Sequence, residues 1–322
     1  MHFVKFLFTG LLLTLAATAG AQTGASFPNK PFKFIVPFPA GSGTDTAARR
    51  VAQELTIRSG QSVVVENKPG ASGFIAAQAA AHADPDGSTL FITTNTTHGA
   101  NSALFKKLPY DPVKDFEPVS LLAYSAEVLL VSPQSPYQDI GALLKAMRVP
   151  GKQFKFGTGN SGSRVAAEML RIRLNADTLA VPYKGTPPAM TDLMGNLLDF
   201  MFVDTGPALP QVQAGKLRAL ATSGSERELQ LPNIPTLEES GLKGFQMTVW
   251  TAAFVPAGTP KAAINKLNGW IQEIVAEPKF RELMAQSGGK TQGSTVEELR
   301  AFVASEIKKW GDTIRAAGIE PD

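Results

Sequence analysis

The sequence predicts an α/β fold built from two similar units, and three observations support this. Short runs of β-branched and aromatic residues alternate with Ala- and Leu-rich amphipathic stretches, a rhythm typical of βαβ units around a mainly parallel sheet. The rhythm occurs twice along the chain. The length of 322 residues also favours two domains, at about 150 residues each.

The predicted elements follow in chain order. In the first unit, strands are expected at 32–36, 62–66 and 89–93, and helices at 44–59 and 75–82. Two further strands are expected at 116–124 and 127–132. In the second unit, helices at 140–147, 164–174, 188–194 and 209–214 alternate with strands at 154–157, 179–181, 200–203 and 217–222.

The C-terminal part reads as helices that face a core. Pro260 stands at an expected first helical position, where a missing N–H costs nothing. Ser294 and Glu297 have the spacing of a capping box before the last helix. The apolar residues that follow each start recur at helical spacing, so both stripes are expected to be buried.

Composition excludes much catalytic chemistry. The chain has no Cys and three His, which removes thiol nucleophiles, CxxC pairs and multi-histidine metal sites. Neither HExxH nor GxSxG occurs. Lys and Arg number 31 against 28 Asp and Glu, and no run of four basic residues is present, unlike a nucleic-acid binder. No catalytic residue, metal, cofactor or nucleic-acid partner is predicted.

The N-terminus has the features of a secretory signal peptide. Lys5 precedes an apolar run at 6–15, and small residues follow up to Ala21. A membrane anchor is the alternative, but the run is shorter than the roughly 20 residues that span a bilayer. We expect cleavage of residues 1–21, before Gln22, and a periplasmic mature protein, a compartment that permits disulfides without requiring them.

Two glycine-rich turns stand between a predicted strand and the helix that follows it. The first covers residues 37–45 and the second covers 157–163. Helix N-termini carry unpaired N–H groups and partial positive charge, and glycines let these amides surround an anion. Either turn alone could simply be a tight turn with an N-cap. One such turn in each unit favours a shared anion site between the units.

The second turn also imitates a dinucleotide-binding fingerprint. Gly157, Gly159 and Gly162 form G-x-G-x-x-G, and Asp177 follows at the usual distance. However, Asp177 precedes the next strand instead of ending it, and an exported protein rarely meets NAD. This interpretation is therefore disfavoured. His98 follows a predicted strand end, where α/β proteins bind ligands, and could equally contact a ligand or bond within its own loop.

Six motifs, in order along the chain, resemble the Bug family of extracytoplasmic solute receptors, the receptors of tripartite tricarboxylate transporters. They are PFPAGSGTD at 37–45, VENKPG at 65–70, LPYDP at 108–112, VPYKG at 181–185, AGKLRAL at 214–220 and VPAGTP at 255–260. The resemblance implies a two-lobed periplasmic-binding-protein (Venus-flytrap) fold with two hinge-crossing segments. It implies lobe one at 27–122 plus 251–322, and lobe two at 123–250.

The resemblance also implies a binding site between the lobes. In the family, a ligand carboxylate is held by amides and hydroxyls of both turns. The corresponding positions here are Phe38, Ala40, Ser42, Gly43, Thr44 and Asp45 in the first turn, and Gly159, Asn160, Ser161 and Ser163 in the second. The resemblance also implies that the far end of the cleft is lined by Thr96, Thr97 and His98 of the first lobe, and by Tyr183 and Asp204. Ser42 replaces a frequent glycine and Val203 a common acid. Asp204 could favour a ligand amine or accept bonds from neighbouring backbone.

The function implied is a monomeric periplasmic receptor that captures a small organic carboxylate and delivers it to membrane permease subunits. The alternatives are a secreted hydrolase on the same fold and a sensory partner that presents ligand to a membrane kinase. The sequence does not distinguish aliphatic carboxylates, aromatic carboxylates and amino acids as ligands.

Overall fold

The fold is described from a computed structural model, which describes residues 27–322. The predicted signal peptide therefore lies outside the described residues. Within residues 27–322, no helix combines the length and the apolar character that crossing a membrane requires.

Strands and helices alternate from the start of the described chain. They are β1 (Phe32–Val36), α1 (Gly43–Ser59), β2 (Val63–Asn67), α2 (Phe74–Ala81), β3 (Thr89–Thr94), α3 (Asn101–Leu104), β4 (Phe116–Val131), α4 (Ile140–Met147), β5 (Gln153–Thr158), α5 (Ser161–Leu174) and β6 (Asp177–Pro182). A turn of π-helix, Thr96–Ala100, joins β3 to α3.

The second part of the chain continues the alternation and then returns to the first sheet. The elements are α6 (Thr186–Met194), β7 (Phe200–Asp204), α7 (Thr205–Gln213), β8 (Arg218–Thr222), β9 (Thr248–Pro256), α8 (Lys261–Ala276), α9 (Pro278–Ala285), β10 (Lys290–Thr291) and α10 (Val296–Ala316). The predicted α/β class is confirmed.

The strands form two sheets that share β4. The first sheet has the order β2-β1-β3-β9-β4, and the second has the order β4-β7-β5-β6. Pairing is parallel within β2-β1-β3 and within β7-β5-β6, whereas every pairing of β4 and β9 is antiparallel. The expectation of a mainly parallel sheet is therefore met only in the outer strands of each lobe.

Strand β4 carries the chain from one sheet to the other. Its residues Phe116 to Ala126 pair with β9, and from Glu127 onward it pairs with β7 and β8. The sequence analysis wrongly predicted two strands here, because Ser125 and Ala126 weaken the apolar pattern although both pair with β9. It also missed β9, whose β-branched and aromatic residues lie next to β3 and β4.

Apolar cores lie under each sheet. In the first lobe, Phe34, Leu90 and Leu267 belong to one buried cluster, whereas Phe156 and Phe200 of the second lobe belong to another. Each completely buried side chain of this size contributes about 1.5–3 kcal/mol. The end of α10 joins the second cluster through residues including Trp310 and Ile314.

The cap of α10 lies one residue later than predicted. Thr295 and Glu298 form the capping box, with Thr295 Oγ1 accepting from the Glu298 N–H at 3.1 Å. Ser294 instead accepts a bond from the Leu121 N–H at 3.0 Å. Its hydroxyl ties the start of the helix to β4, so the predicted box at Ser294 and Glu297 is wrong.

Candidate functional site

The first glycine-rich turn is closed by its own side chains. Ser42 is the N-cap of α1, and its Oγ accepts from the Asp45 N–H at 3.2 Å. The Gly41 N–H donates to Asp45 Oδ2 at 2.9 Å, and Gly41 has φ +81°, a left-handed conformation that favours glycine. Asp45 therefore fixes the turn that sequence analysis predicted to bind ligand.

Asp45 is held from outside the turn as well. Arg49 Nε donates to its Oδ2 at 3.1 Å, and Asn67 Nδ2 donates to its Oδ1 at 2.8 Å. Burial opposes ionisation, but these bonds and that from Gly41 hold the pKa of Asp45 below its usual value. Since its carboxylate is committed to these partners, Asp45 acts as a positioning residue.

The second turn is capped in the same manner. Asn160 Oδ1 accepts from the Ser163 N–H at 2.8 Å, and Ser163 Oγ accepts from the N–H groups of Gly159 and Asn160. Those two amides are thus satisfied within the turn. The Ser161 N–H instead donates to Thr96 Oγ1 of the other lobe at 3.3 Å.

The glycine pattern of this turn has a packing explanation. A Cβ on Gly159 would lie 2.5 Å from the backbone nitrogen of Thr186, at the start of α6. Only glycine permits this approach of two β→α junctions. Gly185, beside Thr186, lies directly against the Pro39 ring of the first turn. The fingerprint therefore serves contacts between segments of this chain.

Two adjacent cavities lie between the lobes and share Asn160 in their lining. The first, which we call the turn cavity, measures about 200 Å³. Its lining includes Phe38, Ser72, Gly73, Thr96, Gly159, Asn160, Ser161, Arg164, Tyr183 and Lys184. The second, the hinge cavity, measures about 60 Å³ beside the crossing strands. Its lining includes Gly43, Thr44, Arg50, Asn95, Tyr124, Asn160, Asp204, Val249 and Thr251.

The predicted site residues thus fall into three groups. The turn cavity brings together Phe38, Thr96, Gly159, Asn160, Ser161 and Tyr183. The hinge cavity brings together Gly43, Thr44, Asn160 and Asp204. The structure places the remainder outside both linings: Ala40 is exposed, and Ser42, Asp45, Thr97, His98 and Ser163 are buried.

His98 lies in the apolar core of the first lobe. Its ring stacks on Phe254 with 4.0 Å between centroids and is completely buried. Its Nδ1 bonds to Thr97 Oγ1 at 2.9 Å. Burial lowers the pKa of His98 to about 3, so the ring is neutral. Of the two roles left open by the sequence, the structure favours bonding within the loop.

Tyr183 lines the turn cavity, but its hydroxyl is engaged elsewhere. It donates to Asp192 Oδ2 at 2.6 Å. Burial, together with the hydrogen bond and charge of Asp192, raises the pKa of Tyr183 to about 12. The residue therefore offers its ring to the cavity, while its hydroxyl braces α6.

Sequence reasoning missed the cations of the turn cavity. Arg164 lies in the first turn of α5, directly after the second glycine-rich turn, and Lys184 follows Tyr183. Arg164 also pairs with Asp322 at 2.8 Å. Both cations could have been found from the sequence, because Arg164 follows Ser163 and Lys184 follows Tyr183, two of the predicted site residues. No metal-ligating group of three or more His, Asp or Glu occurs among the described residues.

A pair of buried acids adjoins the hinge cavity. Asp204, at the end of β7, lies opposite Glu127 of β4 in the sheet. Burial raises the pKa of Asp204 to about 6, although a hydrogen bond with Asn160 opposes this. Burial and the charge of Asp204 raise the pKa of Glu127 well above its usual value. Glu127 was missed, although a single acid in an apolar run was a visible signal.

Comparison with known proteins places this arrangement in a family. Residues 47–319 match the family model described as tripartite tricarboxylate transporter family receptor. The chain is 31% identical to protein BugT of Bordetella pertussis, over 96% of this chain and 96% of that protein.

Two solved structures are similar over nearly the whole described chain. MatC from Rhodopseudomonas palustris, solved with bound malate, is 35% identical, with a TM-score of 0.84 over 89% of this chain and 100% of that chain. An R. palustris protein solved with adipate is 28% identical, with a TM-score of 0.89 over 92% and 100%. The predicted two-lobed fold and the predicted family are confirmed. This chain belongs to the tripartite tricarboxylate transporter receptors, the Bug-type solute-binding proteins.

Proposed function

We propose that the turn cavity holds a carboxylate of a small organic acid for delivery to the permease subunits of a tripartite transporter. The observation that carries this proposal is the meeting of the α5 N-terminus with Thr96 across the cleft. The Ser161 N–H, the Thr96 hydroxyl and the Arg164 side chain converge there from two lobes. All three can donate hydrogen bonds to an anion.

The chemistry of the turn cavity suits an anion. The N-terminus of α5 carries partial positive charge, and the lining has two cations, Arg164 and Lys184, against one acid, Asp322, which pairs with Arg164. Hydrogen bonds to a charged group contribute about 1.5–3 kcal/mol each. A few of these reach micromolar affinity, which corresponds to about −8 kcal/mol. The malate and adipate bound by the two similar structures are carboxylates, which supports the same class here.

Closure of the lobes would follow from this geometry. A carboxylate that lies beside Thr96 and Ser161 and bonds to both contacts both lobes, and so stabilises the conformation in which they meet. We propose lobe boundaries at 27–122 plus 251–322 and at 123–250. The passage of β4 between the sheets near Ala126, and the pairing of β9 with the first sheet, support crossings close to these limits.

Further aspects of the proposal extend the family assignment, which itself implies a periplasmic location. We propose that the mature monomer starts at Gln22 and has no catalytic activity. Ser163 is committed to capping α5. His98 is buried in lobe one, and His82 bonds to its own helix through Gln78 O. Neither histidine is placed to activate a serine of the cleft.

Calorimetric titration of the mature protein with malate, adipate and benzoate tests the proposal, with succinamide as an uncharged control. We expect at least one acid to bind with roughly micromolar affinity and succinamide not to bind. Ligand at about a hundred times its Kd should also raise the unfolding free energy by about 2.7 kcal/mol.

Two variants locate the site. Ser161→Pro removes the N–H at the first position of α5, a position that accepts proline. The extended φ of −156° at Asn160 also tolerates a following proline. Affinity should fall about tenfold, the loss of one charge-assisted bond. Ser161→Ala keeps the N–H and should bind nearly as wild type. Equal binding by both variants, or no binding of any acid, contradicts the proposal.

A further inference from the structure

The hinge cavity differs in charge from the turn cavity. Asp204 lies on its lining with a buried Oδ1 that has no hydrogen-bond partner among residues 27–322. Glu127 lies opposite Asp204 and is completely buried, and neither of its carboxyl oxygens has a hydrogen-bond partner in the described part of the chain. A buried carboxyl oxygen without a donor is costly. Asp204 has a hydrogen bond with Asn160, but residues 27–322 supply no donor to its Oδ1 or to Glu127.

The acids face the ends of two helices. A Cβ on Gly43, in the first turn of α1, would lie 2.9 Å from Asp204 Oδ2. A Cβ on Gly162, in the first turn of α5, would lie 2.5 Å from Glu127 Oε1. Glycine at both positions lets the carboxyl groups reach helix N-termini. Asp204 thus faces the positive end of α1, so that a second anion on this side of the cleft would meet this acid.

Arg50 does not neutralise the pair. It lines the hinge cavity, but its Nη1 donates to Leu283 O at 2.9 Å and to Ser287 Oγ at 2.6 Å, near the end of α9. Among the ion pairs of residues 27–322, none includes Asp204 or Glu127.

A second unpartnered group points to a ligand here. Asn95, on the opposite lobe at the end of β3, lines the same cavity and is 1% exposed. Its Oδ1 accepts from the Trp250 N–H at 3.4 Å, whereas its Nδ2 has no partner within the chain that the structure describes. The cavity therefore presents unsatisfied polar atoms from both lobes, with the acceptors concentrated at Asp204.

We infer that the hinge cavity is a second subsite of the cleft, in which Asp204, with Glu127 behind it, accepts the protonated amine of an aminocarboxylate ligand. The inference rests on the proposed function, because the carboxylate of that ligand occupies the turn cavity. Asn160 lines both cavities, so the two ends of one short ligand pass it on either side. Asp204 and Glu127 are specificity-determining residues that reject a second carboxylate.

The pKa of Asp204 agrees with this role. Burial raises it to about 6 in the free protein. An ammonium group beside Asp204 favours the ionised form of its carboxyl group, and so offsets the effect of burial on its pKa. A carboxylate in its place would meet a like charge or force both acids to remain protonated.

Matched ligands test the inference. Glutarate and 4-aminobutanoate, and likewise adipate and 5-aminopentanoate, differ in carrying a carboxylate or an ammonium at one end. The measurement is calorimetry at pH 7.5, because an acid with a pKa near 6 is mostly ionised there. Wild type should bind each amino acid about tenfold more tightly than the matched dicarboxylate. Asp204→Asn should abolish this preference, and Glu127→Gln should reduce it.

The controls separate the two proposals. Asp312→Asn, which removes an exposed acid of α10, should leave the preference unchanged. The hinge subsite is overturned if wild type prefers the dicarboxylates, or if Asp204→Asn keeps the wild-type preference for the amino acids. Dicarboxylate binding would still support the proposed function in either case. If no compound of either class binds to wild type, both proposals fail. Because the wild-type preference is itself decisive, poor folding of a variant does not remove the test.

Discussion

The turn cavity and the hinge cavity lie on two sides of Asn160, and both adjoin a helix N-terminus, yet they differ in charge. Arg164 and Lys184 line the turn cavity, whereas Asp204 and Glu127 crowd the hinge cavity. A helix N-terminus attracts an anion in either place. In the turn cavity the N-terminus of α5 is open to a ligand, whereas in the hinge cavity the carboxyl group of Asp204 faces the N-terminus of α1. Side chains brought together by the fold therefore decide what each end of the cleft binds.

The largest effect is expected at Gly159. Gly159→Ala would place a Cβ 2.5 Å from the Thr186 backbone nitrogen, so the second turn must move away from α6. We expect a loss of about 3 kcal/mol of unfolding free energy and of carboxylate binding, measured by urea denaturation and calorimetry. Gly269→Ala, inside α8, is the matched control, because no atom of the described residues comes within 4 Å of the Cβ that it adds, apart from its own helix backbone and chain neighbours. That change should stabilise by about 0.5–1 kcal/mol. Equal stability of the two variants would refute the close approach.

The next largest effect is a pH dependence of stability, which is expected for the acid of the hinge cavity and not for the turn cavity. The pKa of Asp204 is raised to about 6 in the folded state, against about 4 in the unfolded chain. The folded protein therefore binds this proton more tightly, and the full contribution to the unfolding free energy is present below about pH 4. That contribution is lost as the pH rises through 6. The unfolding free energy of wild type minus that of Asp204→Asn should therefore fall by up to about 3 kcal/mol between pH 4 and pH 7. A difference that rises with pH would contradict the burial of this acid.

A smaller effect is expected at the cation of the turn cavity. Arg164→Gln removes a charge from the lining and should weaken carboxylate binding about tenfold, or about 1.4 kcal/mol. Calorimetry with the acid that binds best to wild type measures this. Binding of an uncharged analogue, if any, should not change. Unaltered carboxylate affinity would place the anion elsewhere in the cleft.

The smallest effect concerns the partner of that arginine. Asp322 pairs with Arg164 of the second lobe, and its backbone pairs with Leu104 and Lys106 of the first lobe. Since the ion pair is partly exposed, Asp322→Asn should change the unfolding free energy by less than about 1 kcal/mol. It should also tighten carboxylate binding slightly, because the guanidinium is released. Weaker binding in this variant would show that Asp322 positions Arg164 for the ligand.

Local features of the cleft could be predicted from the sequence. Both glycine-rich turns precede helices, and the capping residues Ser42 and Asn160 lie at the predicted junctions. These features depend on residues within one turn of each other. Most strands and helices could also be predicted from the sequence, because the periodicity of apolar residues that indicates them is local.

Features that depend on distant partners were not accessible. The commitment of Asp45 to Arg49 and Asn67, and the burial of His98 against Phe254, arise from packing. Glu127 gains its meaning only from its register opposite Asp204. Thr295 caps α10 in place of Ser294, because the Ser294 hydroxyl bonds to β4. The sequence pattern of the helix does not indicate this bond.

A crystal structure with 4-aminobutanoate tests the contrast between the two cavities most directly. We expect the carboxylate in the turn cavity, within hydrogen-bond distance of the Ser161 N–H, and the ammonium beside Asp204. The reverse orientation, with the carboxylate against Asp204 and the amine near Arg164, would contradict it.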